Sequence, residues 1–140
     1  MGAHLDAARR CARRHARRLQ VFRLNASSWL HRQIMRVTLI HNPKAGKGHP
    51  TGDELQTLIK EAGHKVLYQS AKEKKWQRAL QTSADLIVVA GGDGTIRKVA
   101  TRLAGSRVPL TILPLGTANN IAKSLGINGS FEQLVAGWAG

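Results

Sequence analysis

The stretch Gly91-Gly92-Asp93-Gly94-Thr95 constrains this chain more than any other. It follows Asp85-Leu86-Ile87-Val88-Val89-Ala90, an apolar run without breakers that reads as a strand buried on both faces. It precedes Ile96 to Leu103, where apolar residues recur at helical spacing. A strand that enters a helix through glycines leaves a concave row of backbone N–H groups with no side chains in the way. Such a turn suits a phosphate. Glycine is required because a Cβ, at Gly92 in particular, would fill the cradle. Asp93 holds a carboxylate inside it, and an anion beside a phosphate acts through a cation, a water or a ligand hydroxyl. A ligand-free tight turn would use the same residue types, so the remainder of the chain has to decide between the two.

The same edge recurs elsewhere. Met35 to His41 reads as a first strand, rich in β-branched residues. It runs into Asn42-Pro43-Lys44-Ala45-Gly46-Lys47-Gly48, a second glycine-bearing turn. This is neither a Walker A loop nor a dinucleotide fingerprint, since both spacings are missing. Thr51-x-x-Glu54 is a capping box, and the helix it opens passes through Leu55, Leu58 and Ile59 to stop at Gly63. His64 to Ser70 reads as strand two, residues 73–82 as a helix containing Trp76 and Leu80, and Val108 to Leu113 as strand four, with Pro109 at its start. The turn Pro114-Leu115-Gly116-Thr117-Ala118-Asn119-Asn120 leads into a short helix through Leu125, and a last helix starts at Ser130.

Strand and helix thus alternate four times, the pattern of a parallel sheet covered on both faces. Ligands of such sheets bind beyond the carboxyl ends of the strands. Three of the four strands end in a Gly or Asn-Pro turn, so one phosphate-bearing ligand accounts for all three. His41, His49 and His64 have no metal spacing and read as surface or edge residues. Trp29, Trp76 and Trp138 are scattered and read as packing. No Ser/His/Asp arrangement for nucleophilic catalysis stands out.

The chain has 140 residues, of which 42% are hydrophobic, enough for one domain with a core. No apolar run is long enough to span a membrane. The only cysteine, Cys11, cannot pair within the chain, which fits a reducing compartment. Residues 1–34 carry eight arginines against Asp6 alone, half of the net charge of +14. The paired arginines at 9/10, 13/14 and 17/18 stack on one side of a weak helix. This basic N-terminal extension reads as an organelle transit segment, a membrane-surface segment, a nucleic-acid arm without interleaved aromatics, or an extension upstream of a natural start at Met35. The domain proper is then residues 35–140.

Asn42-Pro43-x-x-Gly46, Gly91-Gly92-Asp93-Gly94-Thr95 and Pro114-x-Gly116-Thr117-x-Asn119, in that order, resemble the catalytic domain of the diacylglycerol kinase-like lipid kinases. That family also includes sphingosine and ceramide kinases. The similarity covers about residues 35–127. NAD kinases and phosphofructokinases share the glycine–aspartate motif, and the third motif favours the lipid kinases. The resemblance implies an α/β three-layer sandwich with a mostly parallel sheet, of the NAD kinase/phosphofructokinase type.

It further implies that Asn42, Pro43, Lys44, Ala45 and Gly46 line an ATP site and that Ser70 brings a hydroxyl near the nucleotide. Gly92, Asp93, Gly94 and Thr95 would hold the phosphates, and Thr117 would close the pocket. The implied cofactors are ATP and Mg²⁺, with no protein metal ligand assigned here. Asp93 is the candidate catalytic carboxylate. The base is expected from a second, mostly β domain that follows in family members, so residues 35–140 are expected to be the nucleotide-binding half and to be inactive alone. Three positions depart from the family pattern. Ala45 replaces a serine, Arg97 and Lys98 stand where Asn and Glu are common, and Asn120 stands where Asp is common. The last two changes remove two carboxylates near the phosphates and add two cations.

The expected function is therefore the ATP-binding domain of a kinase that phosphorylates a lipid hydroxyl such as that of diacylglycerol. Its partners would be ATP and a lipid at a membrane surface, with no nucleic acid and a homodimer left open; the expected location is cytoplasmic, peripheral to the membrane. The alternatives are an NAD kinase-like phosphotransferase and a non-catalytic nucleotide-binding module.

Overall fold

The computed structural model describes residues 33–139, and the expectations for the arginine-rich segment lie on residues outside these. Four strands, β1 (Arg36–His41), β2 (Lys65–Ser70), β3 (Leu86–Gly91) and β4 (Leu110–Pro114), form one sheet in the order β2-β1-β3-β4. All three pairings are parallel. The α/β reading of the sequence is borne out. Parallel neighbours need crossover segments, and those segments cover both faces of the sheet.

Two cores follow from the alternation of side chains along the strands. Val37, Leu39, Leu86, Val88, Ala90 and Leu113 pack against Leu55 and Ile59 of α1 (Gly52–Glu61) and Val135 of α4 (Phe131–Ala136). Ile40, Ile87, Val89 and Ile112 pack on the other side, against Trp76, Ala79, Ile96 and Val99 of α2 (Asp93–Arg102), and Ala122 of α3 (Asn120–Ser124). Every residue of β3 is buried because both faces are covered, which is why this strand reads as an unbroken apolar run. Each fully buried Leu, Ile or Val contributes about 1.5–3 kcal/mol relative to an exposed one. At the opposite edge from the glycine turns, the Arg36 guanidinium and then its backbone N–H hold the Asp85 carboxyl down at about 2.

The capping box forms as the sequence predicts. Thr51 Oγ1 accepts the Glu54 N–H at 3.2 Å, and the Glu54 carboxylate accepts the Thr51 N–H at 2.6 Å. The helix ends at Glu61, and Gly63, just past its Ala62 cap, has a φ of +92°, the left-handed conformation that glycine adopts freely. A second capping box, Ser130 with Gln133, starts α4.

The predicted helix over residues 73–82 is instead a 3-10 segment, Trp76–Gln81, entered through a left-handed Lys75. Trp76 and Ala79 are both buried, three residues apart, and a three-residue turn puts both on the sheet. The Thr82 hydroxyl donates to the Ala79 carbonyl at 2.6 Å and closes the segment. The histidine expectation fails in part. His41 and His64 are 1% and 5% exposed, so two of the three histidines are core residues. Trp76 is core packing as expected, and Trp138 packs at the margin of the first core, against the His64 ring.

Candidate functional site

The strand order puts a topological switch point between β1 and β3. From β1 the chain crosses outward to β2, and β3 then starts on the other side of β1. The crevice beyond the carboxyl ends of two such strands is where open parallel sheets bind ligands. The three glycine turns follow β1, β3 and β4, which are adjacent in the sheet, so they converge on one edge.

Specific bonds tie the turns together. Asn42 Nδ2 donates to Thr95 Oγ1 at 3.3 Å, and the Asn42 backbone N–H donates to the Ala90 carbonyl at 2.9 Å, spanning the β1/β3 crevice. Asn42 Oδ1 accepts the Lys44 N–H at 3.1 Å and folds its own turn. Leu115 N–H donates to the Gly91 carbonyl at 3.0 Å. Gly46, at φ +63°, lies against the Leu115 carbonyl, where a Cβ would come within 3.2 Å. Each turn therefore touches the other two.

Asp93 makes a two-pronged link. Its Oδ2 accepts the Asn120 N–H and its Oδ1 the Ile121 N–H, both at 3.0 Å. These bonds hold its carboxyl below the ordinary range, the Ile121 and then the Asn120 N–H acting first, with the charges of Arg97 and Lys123 adding to them. Asp93 is thus a bidentate clamp between the second turn and the third.

The helix begins inside the motif, at Asp93, so Gly94 and Thr95 belong to its first turn rather than to a loop. Gly92, expected to lie open, is packed: a Cβ there would meet the Gly116 Cα at 3.4 Å. Gly94 is the open position, with nothing within 4 Å of an added Cβ and no positive φ. Pro43, Lys44, Gly46 and Thr117 are exposed along the same edge, and Ala45 is half-buried. Ser70 stands one strand further out, level with His41 in β1, and its Oγ accepts the Lys72 N–H at 3.3 Å. The two cations that depart from the family pattern separate: Arg97 lies near Asp93, whereas Lys98 Nζ sits 5.6 Å from the centre of the Trp76 ring.

Two residues outside the expected site set belong beside it. Asn119 takes the left-handed conformation, φ 50°, and its buried Oδ1 accepts no hydrogen bond among the described residues. Asn is one of the few side chains that tolerate this backbone, and that was the signal to read at this position. His41, the last residue of β1, shares a 2.9 Å hydrogen bond between its Nδ1 and the Tyr68 hydroxyl, and its Nε2 is a buried polar atom without a partner among the described residues. A cavity of about 400 Å³ lies between α1 and α4, floored by Leu55, Leu58 and Phe131 and flanked by Glu54 and Glu132. None of the glycine-turn residues line it.

A parallel sheet with three interlocked turns at its switch point defines an α/β domain of the class whose ligands bind at that edge. The family follows from comparison with known proteins. Residues 36–138 match the model of the diacylglycerol kinase catalytic domain, and the chain belongs to that family. It is 41% identical over 96 residues to a Klebsiella pneumoniae protein named "Probable lipid kinase YegS-like", covering 64% of this chain and 32% of the relative. It is 33% identical to a diacylglycerol kinase of Bacillus subtilis, covering 67% of this chain and 34% of that one. A crystal structure of a diacylglycerol kinase from Bacillus anthracis superposes with a TM-score of 0.57 at 31% identity, over 72% of this chain and 38% of that one. The chain spans about a third of the length of the curated relatives it matches.

Kinase membership implies a nucleoside triphosphate and a divalent metal. The residues present fit the first: Gly94 leaves the start of α2 open, with nothing within 4 Å of an added Cβ, and Asn119 Oδ1 is an acceptor without a donor among the described residues. They do not fit a metal held by the protein. Among the described residues no group of three or more His, Cys, Asp or Glu is placed to hold one, and both Asp93 oxygens already accept backbone N–H groups.

Proposed function

We propose that residues 35–140 form the nucleotide-binding half of an ATP-dependent lipid kinase, which transfers the γ-phosphoryl group to a lipid hydroxyl such as that of diacylglycerol. The observation that carries the reading is Gly94. A glycine in a helical turn costs roughly 0.5–1 kcal/mol relative to alanine. Neither its backbone conformation nor a neighbouring atom requires glycine there. An approaching ligand would account for it, and backbone N–H groups at the start of a ten-residue helix suit a phosphate.

In this reading the phosphates lie over Gly92, Gly94 and Thr95. Asn42 to Gly46 border the nucleotide from β1, Ser70 flanks it from β2, and Thr117 closes the third side. Asp93 acts by position: its clamp on Asn120 and Ile121 holds the third turn where it can meet the ligand. Phosphoryl transfer depends mostly on such positioning and on charge neutralisation. It also needs a base within about 3 Å of the acceptor hydroxyl. Asp93 is the one carboxylate of the three turns, and its lowered pKa and two N–H partners make it a poor proton acceptor. These 140 residues alone are therefore proposed to bind ATP without turning over lipid, and the proposed acceptor is a lipid at a membrane surface.

The test has two arms. Calorimetric titration with ATP and with NAD should show ATP binding more tightly, and tighter NAD binding would favour an NAD kinase-like enzyme. A radiolabelled ATP assay with diacylglycerol in mixed micelles should show no product from this chain. Robust product, lost in Asp93→Asn, would overturn the proposal that these residues bind ATP without turning over lipid.

A further inference from the structure

The family implies a divalent metal that the described residues do not accommodate, and the same edge carries cations that they do. Arg97 follows Asp93 by one turn of α2, the spacing at which side chains share a helix face. Lys123 follows Asn120 by three residues on α3, and the Asn120 N–H is bonded to Asp93. The Asp93 clamp therefore brings both cations near one carboxylate, whose charge they influence. Lys98 is not part of this pair, since its ammonium is turned to the Trp76 ring. Neither Arg97 nor Lys123 has a salt-bridge partner among the described residues, where the ion pairs are Arg36–Asp85 and His49–Glu54.

We infer that Arg97 and Lys123 supply the positive charge set against a bound polyphosphate, so that this chain takes up metal-free nucleoside triphosphate and needs no divalent cation to hold it. The inference rests on the nucleotide reading of the glycine turns. Its electrostatic basis is simple. A divalent metal usually serves a phosphate site by neutralising charge and by tying phosphate oxygens to one or two protein carboxylates. Here the one carboxylate of the turns already accepts the Asn120 and Ile121 N–H groups, so a metal on the nucleotide would compete with that clamp for its oxygens. It also halves the negative charge that Arg97 and Lys123 would otherwise meet. The two cations do the neutralising instead, at an edge where a water-exposed pair stays sensitive to salt.

The experiment is calorimetric titration of the full chain with ATP, once in EDTA and once in excess Mg²⁺, with circular dichroism as the folding control. The expected result is an affinity in EDTA equal to, or up to about tenfold tighter than, that in Mg²⁺, a range of 1.4 kcal/mol. The double variant Arg97→Asn/Lys123→Gln should lose about tenfold in EDTA and become Mg²⁺-dependent, while Arg97→Lys, which keeps the charge, should retain binding in EDTA. Wild-type binding at least about tenfold weaker in EDTA than in Mg²⁺ would overturn the inference while leaving the nucleotide reading intact. No binding in either buffer would overturn both. A folded double variant that binds like wild type in EDTA would also overturn it.

Discussion

Gly116 lies so close to Gly92 that a Cβ on Gly116 would come within 2.7 Å of the Gly92 Cα and 3.0 Å of Asn119 Oδ1. The second and third turns thus pack backbone to backbone, and one of the obstructing atoms cannot rotate away. Gly116→Ala should therefore destabilise the fold by about 1–3 kcal/mol, the usual range for overpacking a tight site. The midpoint of urea unfolding checks this, and an unchanged midpoint would mean that the turns separate easily.

The Asp93 clamp predicts a local effect rather than a global one. Asp93→Asn keeps one acceptor oxygen and loses the charge and the second acceptor. Amide hydrogen exchange at Asn120 and Ile121 should speed up, while the β3 amides stay protected. Uniform acceleration across the sheet would mean that Asp93 supports the whole fold.

His41 gives a pH dependence with a definite sign. Burial lowers its pKa from the ordinary 6.5, so the folded chain resists protonation that the unfolded chain accepts. Its contribution to stability is present in full above pH 6.5 and is lost as pH falls from there through the lowered folded-state pKa. Melting temperatures of wild type should drop between pH 7 and pH 5 by more than those of His41→Asn. Equal drops would show that another group governs that window.

Much of this was legible in local sequence. The capping box of Thr51 and Glu54, the apolar run of β3 and the three strand-ending turns are set by neighbours in the chain. The parallel sheet is the expected outcome, because strand–helix alternation supplies the crossovers that parallel pairing needs. What was not legible depends on distant partners. Asp93 meets N–H groups 27 and 28 residues away, and nothing in its own motif announces them. His41 stands at a strand end where burial depends on what covers it, and Tyr68 from β2 is part of that cover. The segment at Trp76 has helix-forming residues, yet its buried pair at a spacing of three favours the tighter turn. Gly92 and Gly94 look equivalent in sequence, and only the approach of Gly116 tells them apart.

Local capping predicts its own cost. Thr51→Ala removes the acceptor for the Glu54 N–H and should cost about 1 kcal/mol, the typical value for losing an N-cap. Thermal or chemical unfolding measures it. A loss several times larger would show that Thr51 supports more than its helix.

The central claim is that the ligand's phosphates lie over Gly94, and Gly94→Val tests it most directly. Nothing lies within 4 Å of a Cβ at this position, so the fold should tolerate the side chain while the cradle does not. Calorimetry should show ATP affinity falling at least about tenfold, with a melting temperature within a few degrees of wild type. Unchanged ATP affinity in a folded Gly94→Val chain would contradict the account, because the phosphates would then lie elsewhere.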